Sequence, residues 1–243
     1  MYHETAGALA DLDPFALYDA EARRLDGHFA GLAGADWDRP SRCAGWSVRD
    51  VLAHLAGEEL YNHACLDDDL AGLNRLLTEA GVDGLDGFNQ WSVDERRDVP
   101  VDTVLSEWRA ANGRTRAELR ARGADALLPT QAGPYPVGLQ ALHYASELAT
   151  HADDVGYRTP PTEEPDRTAW RARFGAFALA EQDRPVLVQE ADNRWHVEAD
   201  GTGDAAPITA QLSPAEFVEA TVDRLPADHP LPPALRTALA CLA

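Results

Sequence analysis

The sequence predicts a mainly α chain, with a four-helix bundle followed by a small α+β domain. Three observations lead to that fold class. Four long segments before residue 156 carry apolar side chains at three- and four-residue steps, the spacing of one helical face. Alternating strand-like runs appear only after residue 184, and a proline-rich elbow over 156–166 separates the two regimes.

In chain order, the first helix spans Asp13 to Leu32, with Phe15, Leu17, Ala22, Leu25, Phe29 and Leu32 on its apolar face and Gly31 and Gly34 closing it. The turn formers between Asp36 and Gly45, Pro40 among them, make a loop that ends in Trp46. Ser47-Val48-Arg49-Asp50 has the form of a capping box, in which serine and acid satisfy each other's free backbone N–H groups. A second helix therefore starts at Ser47 and runs to about Leu77, with room for a break near Asp67 to Asp69. That acidic run could hold a cation, but such runs more often mark a solvated face or a helix break.

Gly81 to Gly87 reads as a connector, and its glycines lack the strand-to-helix context and Lys-Ser/Thr ending of a phosphate loop. Val101 to Arg122 is the third helix, with Val104, Leu105, Trp108, Ala111 and Leu119 inward and arginines crowding its last turns, where cations favour the helix dipole. Gly133-Pro134-Tyr135-Pro136 is a stiff turn before the fourth helix, Val137 to about Val155, which Gly156 stops.

Beyond the elbow, a short helix from Thr168 to Gln182 precedes two apolar runs, Pro185 to Glu190 and Arg194 to Glu198, parted by Ala-Asp-Asn as in a β-hairpin. Ile208 to Leu212 is a third strand, and Ser213-Pro214-Ala215-Glu216 opens a capped helix through Phe217, Val218 and Val222 to Leu225. The expected domains are residues 1–160, the bundle, and 161–243, the small α+β domain. The sequence has no internal repeat or low-complexity tract.

A formal net charge of −20 excludes nucleic acid and acidic membrane surfaces as partners, because gripping a polyanion needs a basic face. All 21 basic residues are arginine, which carries no mechanism by itself. No apolar run approaches the roughly 18 to 20 residues of a membrane span. Met1 to Thr5 also lacks a signal-peptide start, so a soluble cytoplasmic protein is expected. Cys43, Cys65 and Cys241 are odd in number and widely spaced, and read as buried or idle thiols rather than a disulfide framework or zinc site.

His143, Glu147 and His151 follow one another at four-residue steps on the fourth helix and so share a face. A histidine four residues from a carboxylate can chelate a metal, because adjacent turns put both donors within reach of one cation. The same spacing also suits a solvated salt-bridge pair. His54 stands among Val51, Leu52 and Leu55, where an imidazole is either a hydrogen-bonded core residue or a ligand, and its own i+4 neighbour is Glu58.

At these residues the chain resembles a known family. Cys43-Ala-Gly-Trp46-Ser47-Val-Arg-Asp50-Val-Leu-Ala-His54-Leu-Ala-Gly57, with Glu147-Leu-Ala-Thr-His151-Ala-Asp-Asp-Val155, is similar to the DinB-like superfamily and its mycothiol-dependent maleylpyruvate isomerase branch. The resemblance implies a DinB-type four-helix bundle. It also implies a divalent metal, zinc, held by His54, Glu147 and His151, with one position open to water or thiol. His143 lies outside that set, and Glu58 is left with at most an orienting role. The resemblance further implies an arginine from the C-terminal domain, which falls at Arg224 in a looser match; an arginine there could equally serve the helix end.

The function implied is that of a metal-dependent enzyme acting on small molecules. It would activate a low-molecular-weight thiol, mycothiol, for cis-trans isomerisation of, or S-transfer to, a small electrophile. A metal-dependent hydrolase using bound water and a non-catalytic small-molecule or metal-binding module remain the alternatives.

Overall fold

A computed structural model describes residues 7–201 and 206–242. The chain forms two compact units, one of Asp13–Arg158 and one that joins Thr159–Ala243 to Met1–Leu12.

In the first unit, α1 (Pro14–Ala30) starts where Asp13 Oδ1 accepts from the N–H groups of Phe15 and Ala16 at 3.0 and 2.9 Å, with proline at the first helical position. A 3₁₀ turn, Gly34–Asp38, leads into the loop before α2 (Val48–Leu66). The Ser47 and Asp50 box is formed: Asp50 Oδ2 accepts from Ser47 N at 2.9 Å and Ser47 Oγ from Asp50 N at 3.3 Å.

The acidic run does break the helix. Asp68 takes a left-handed φ of 55°, and Asp69 Oδ1 accepts from Gly72 N at 2.9 Å to cap α3 (Leu70–Glu79). Asp67 pairs with Arg114. Among the described residues none of the three aspartates belongs to a group of converging ligand atoms, so the run is helix punctuation.

Two segments correct the sequence reading. The expected connector gives way to α4 (Gly84–Asp94), whose Phe88, Ser92 and Val93 are buried. Its glycines weaken the local helical signal, and packing on α2 supplies what propensity lacks. After α5 (Val101–Arg122), the expected stiff turn is the second arm of a hairpin: β1 (Leu127–Thr130) pairs antiparallel with β2 (Gly133–Pro136). Prolines are tolerated there because each strand has a free edge. The last bundle helix is α6 (Val137–Asp154), closed by Gly156 at φ 89°.

The long helices α1, α2, α5 and α6 build the bundle, α1 packing along α6 and α2 along α5. Leu25, Leu52, Leu55, Ala141 and Ala145 are fully buried between them, and Phe29 stacks on Trp37 and meets Trp108 edge-on. A polar thread runs through this core. The Glu59 carboxylate accepts from Asn112 Nδ2 at 2.9 Å and Thr115 Oγ1 at 2.5 Å, and Asn112 Nδ2 also donates to Tyr18 Oη at 2.8 Å. No helix of the described residues is long and apolar enough to cross a membrane.

In the second unit α7 (Glu164–Glu181) begins four residues before the expected Thr168, because Pro165 suits a first turn. An antiparallel sheet follows in the order β3 (Leu187–Ala191), β4 (Arg194–Ala199), β5 (Ile208–Leu212). Asp192 and Asn193 both adopt positive φ in the two-residue turn that joins β3 to β4. Then come α8 (Pro214–Thr221), opened by the Ser213 and Glu216 box, and α9 (Pro233–Leu239), which the sequence reading did not include. Trp195 stacks on Phe217 at 4.2 Å over a core that includes Leu179, Leu235 and Leu239.

Candidate metal centre

His54 lies two turns into α2, and Glu147 and His151 lie one turn apart near the end of α6. Their side chains meet between the two helices. Glu147 Oε1 stands 3.3 Å from His54 Nε2 and 2.9 Å from His151 Nε2, and the two imidazoles cross edge-on at 5.0 Å. Both histidines are buried, and Glu147 is half-buried. One ligand atom from each residue falls within 4.8 Å of the other two.

This arrangement fits a divalent ion. Four bonds of about 2.0–2.2 Å around tetrahedral zinc put neighbouring ligand atoms about 3.3–3.6 Å apart, so the two separations from Glu147 Oε1, 3.3 and 2.9 Å, are within a few tenths of an ångström to about half an ångström of that spacing. The surroundings of His151 fit as well. Its Nδ1 lies 3.2 Å from Oδ2 of Asp154, whose side chain is fully buried, the carboxylate backing that orients metal-binding imidazoles. Cys43 Sγ also donates to Asp154 Oδ2 at 3.2 Å and lies 3.7 Å from His151 Nδ1. His151 thus turns one nitrogen to Glu147 and the other to a carboxylate and a thiol. Cys43, read from sequence as idle, is a member of this array.

Charge follows the geometry. Burial works against ionising Glu147, but the adjacent His151 and His54 outweigh it and hold the carboxyl well below its ordinary range. Burial likewise disfavours a charged His151, yet Glu147 and the Asp154 and Cys43 contacts hold its pKa well above the ordinary histidine value. His54 moves the other way, pushed down chiefly by desolvation. Its Nδ1 is buried without a hydrogen-bond partner. The Trp46 ring lies 5.1 Å from the His54 ring, and Trp46 Nε1 donates to Gln90 Oε1 at 3.3 Å.

The other residues singled out in the sequence fall elsewhere. His143 Nε2 is 3.2 Å from Tyr135 Oη, and neither His143 nor Glu58 belongs to a converging ligand group among the described residues. Burial, with Glu147 and Glu59 nearby, pushes the Glu58 carboxyl well above its ordinary value. Arg224 follows α8 in the second unit, where its Nη1 donates to Val222 O at 3.1 Å.

Sequence reasoning missed Asp154 and the pairing of Trp46 with Gln90. An acid three residues after a histidine shares its helical face, so Asp154 did carry a local signal. Gln90 carried none.

Residues 18–156 match the family model described as the mycothiol maleylpyruvate isomerase N-terminal domain. Two curated relatives, uncharacterized proteins from two strains of Mycobacterium tuberculosis, are each 28% identical over 209 residues, which is 82% of this chain and 80% of theirs. Among solved structures, a crystal structure of the mycothiol-dependent maleylpyruvate isomerase aligns with a TM-score of 0.63 at 15% identity, covering 90% of this chain and 92% of that one. A point mutant of that enzyme aligns at 0.52 and 13%, covering 71% and 70%.

Proposed function

Because the chain belongs to the mycothiol maleylpyruvate isomerase N-terminal domain family, we propose that it is a divalent-metal enzyme, with zinc as the metal, that activates mycothiol against a small electrophile. The outcome is cis-trans isomerisation of the substrate or transfer of the thiol to it. The observation that carries this reading is the position of Glu147 Oε1 between the Nε2 atoms of His54 and His151, with Asp154 behind the latter.

His54, Glu147 and His151 would hold the ion and leave a position open, as catalytic rather than structural sites do. When bound, the metal supplies acidity: it lowers the pKa of a thiol in that position far enough to present a sulfur nucleophile near neutral pH. The chain's own residues do the rest. Asp154 keeps His151 turned toward Glu147. Arg224, carried over from the family pattern, would grip a substrate carboxylate through a charge-assisted bond.

Addition of the thiol sulfur to a conjugated double bond makes that bond single and free to rotate. Expulsion of the sulfur then returns the trans alkene and the unchanged thiol. If the adduct instead takes up on carbon the proton that the thiol gave up, it leaves as an S-conjugate.

Metal analysis of purified native protein and of His54→Ala, with turnover of maleylpyruvate followed by its absorbance with and without mycothiol, tests the proposal. Native protein with about one zinc per chain and thiol-dependent turnover, both lost in His54→Ala, is the expected result. Absence of metal in native protein, or turnover that is the same without thiol, overturns it. Arg224→Lys should raise KM for the carboxylate substrate about tenfold or more while leaving metal content unchanged, since lysine loses the planar fork.

A further inference from the structure

The two histidines of the centre are supported differently. A metal-binding imidazole normally donates its remote N–H to a carboxylate or carbonyl, which fixes ring orientation. His151 has Asp154 for this. His54 has nothing equivalent, because its Nδ1 is buried and unpartnered. Rotation about the bond that carries an imidazole is soft, so some other contact has to hold the ring.

That contact is Trp46. Its ring lies 5.1 Å from His54 at an interplanar angle of 42°, and the His151 ring lies 5.0 Å from His54 at 71°. Trp46 is tied at its backbone by Trp46 N to Cys43 O at 3.0 Å and Ser41 N to Trp46 O at 2.9 Å. At its side chain it is tied by Gln90. The Gln90 amide is itself oriented, since Nε2 donates to Asp94 Oδ1 at 3.0 Å and leaves Oε1 for the indole N–H. Helix α4, which carries Gln90, is seated on α2 where Gly57 has no side chain to keep Ser92 away.

We infer that Trp46, clamped by Gln90, is a positioning residue that replaces by ring packing the hydrogen bond His54 lacks, so that metal affinity depends on a side chain that is not a ligand. The inference rests on the metal-centre reading above. It also gives the Gly45-Trp46-Ser47 loop a role beyond starting a helix.

The test uses the full chain, stripped of metal, with Zn²⁺ affinity measured by competition against a chromophoric chelator and ligand geometry by the visible spectrum of added Co²⁺. Trp46→Ala should weaken Zn²⁺ binding about 10- to 100-fold, the range for losing an outer partner of a metal ligand, and alter the Co²⁺ bands. Gln90→Ala should weaken binding about three- to tenfold, as for loss of one neutral hydrogen bond. Gln90→Glu combined with Asp94→Asn, which keeps an acceptor for the indole and puts the donating amide at position 94, should restore it. The melting temperature of the metal-free Gln90 variants should stay within about 2 °C of the native chain.

If Trp46→Ala does not fold, the Gln90 pair decides. Native protein that binds Zn²⁺ while Gln90→Ala binds it equally well, with an unchanged Co²⁺ spectrum, overturns this inference alone. Native protein that binds neither ion overturns the metal-centre reading and this inference with it.

Discussion

Replacing Asp154 measures how much of the candidate centre depends on a residue outside the proposed His54, Glu147 and His151 set. Its carboxylate is 3.2 Å from His151 Nδ1 and from Cys43 Sγ, and its side chain has no solvent exposure, so water has no access to take its place. A hydrogen bond to a charged group contributes about 1.5–3 kcal/mol and a neutral one about 0.5–1.5. Asp154→Asn keeps the shape and one acceptor, so the loss should be about 1–1.5 kcal/mol, or roughly tenfold in Zn²⁺ affinity.

Asp154→Ala removes the acceptor altogether and leaves His151 Nδ1 buried and unsatisfied, which costs about 1–3 kcal/mol and should bring the loss to as much as about a hundredfold. Cys43→Ser keeps a donor at the same place and should bind nearly as the native chain does. Chelator competition at neutral pH gives the affinities, and thermal melting of the metal-free forms checks that the fold survives. If both Asp154 variants bind Zn²⁺ within twofold of the native chain, the carboxylate does not orient His151 and the account of the centre fails at that point.

Two further outcomes concern stability. A Cβ at Gly57 would overlap Ser92 Cβ and Oγ, so Gly57→Ala should forfeit the usual helical gain of about 0.5–1 kcal/mol and lose about 1–3 kcal/mol to overpacking. The melting temperature should fall by several degrees and be largely recovered by adding Ser92→Gly; a rise would refute the close approach of α2 and α4. Desolvation raises the pKa of Glu59 above the ordinary 4.5, against the opposing hydrogen bonds from Thr115, Asn112 and Asn62. Its stabilising contribution is therefore full below pH 4.5 and lost as pH rises through the elevated folded value. The stability of Glu59→Gln relative to the native chain should thus climb across that window in denaturant titrations, and a flat difference would count against the buried carboxyl.

Local signals proved readable in the sequence wherever the physics is local. Both capping boxes, at Ser47 and Ser213, form as their spacing predicts, and the Asp192-Asn193 turn joins the paired strands of the hairpin. Helix α4 was hidden because Gly84 and Gly87 depress local propensity while its support comes from α2, some 30 residues earlier. The β1 and β2 hairpin was hidden because proline argues against strands except at free edges.

The candidate centre divides the same way. Glu147 and His151 share a helical face and can be paired from spacing alone, whereas His54 is 93 residues from Glu147 and enters only through the resemblance around Trp46. The Trp46 contact with Gln90 spans 44 residues and has no periodic or compositional trace at all.

The break at Asp68 has an architectural consequence. By ending α2 there, the chain leaves the bundle and makes a detour through residues 70–94 before α5 resumes it. The detour supplies none of the converging ligand atoms among the described residues, yet Gln90 within it reaches the ring that packs on His54. Scaffold and tuning element are therefore separable. On the proposed reading, substitutions in the detour can adjust the candidate centre while His54, Glu147 and His151 and the long helices that carry them stay unchanged, which makes residues 70–94 the natural place to diversify this chain without dismantling it.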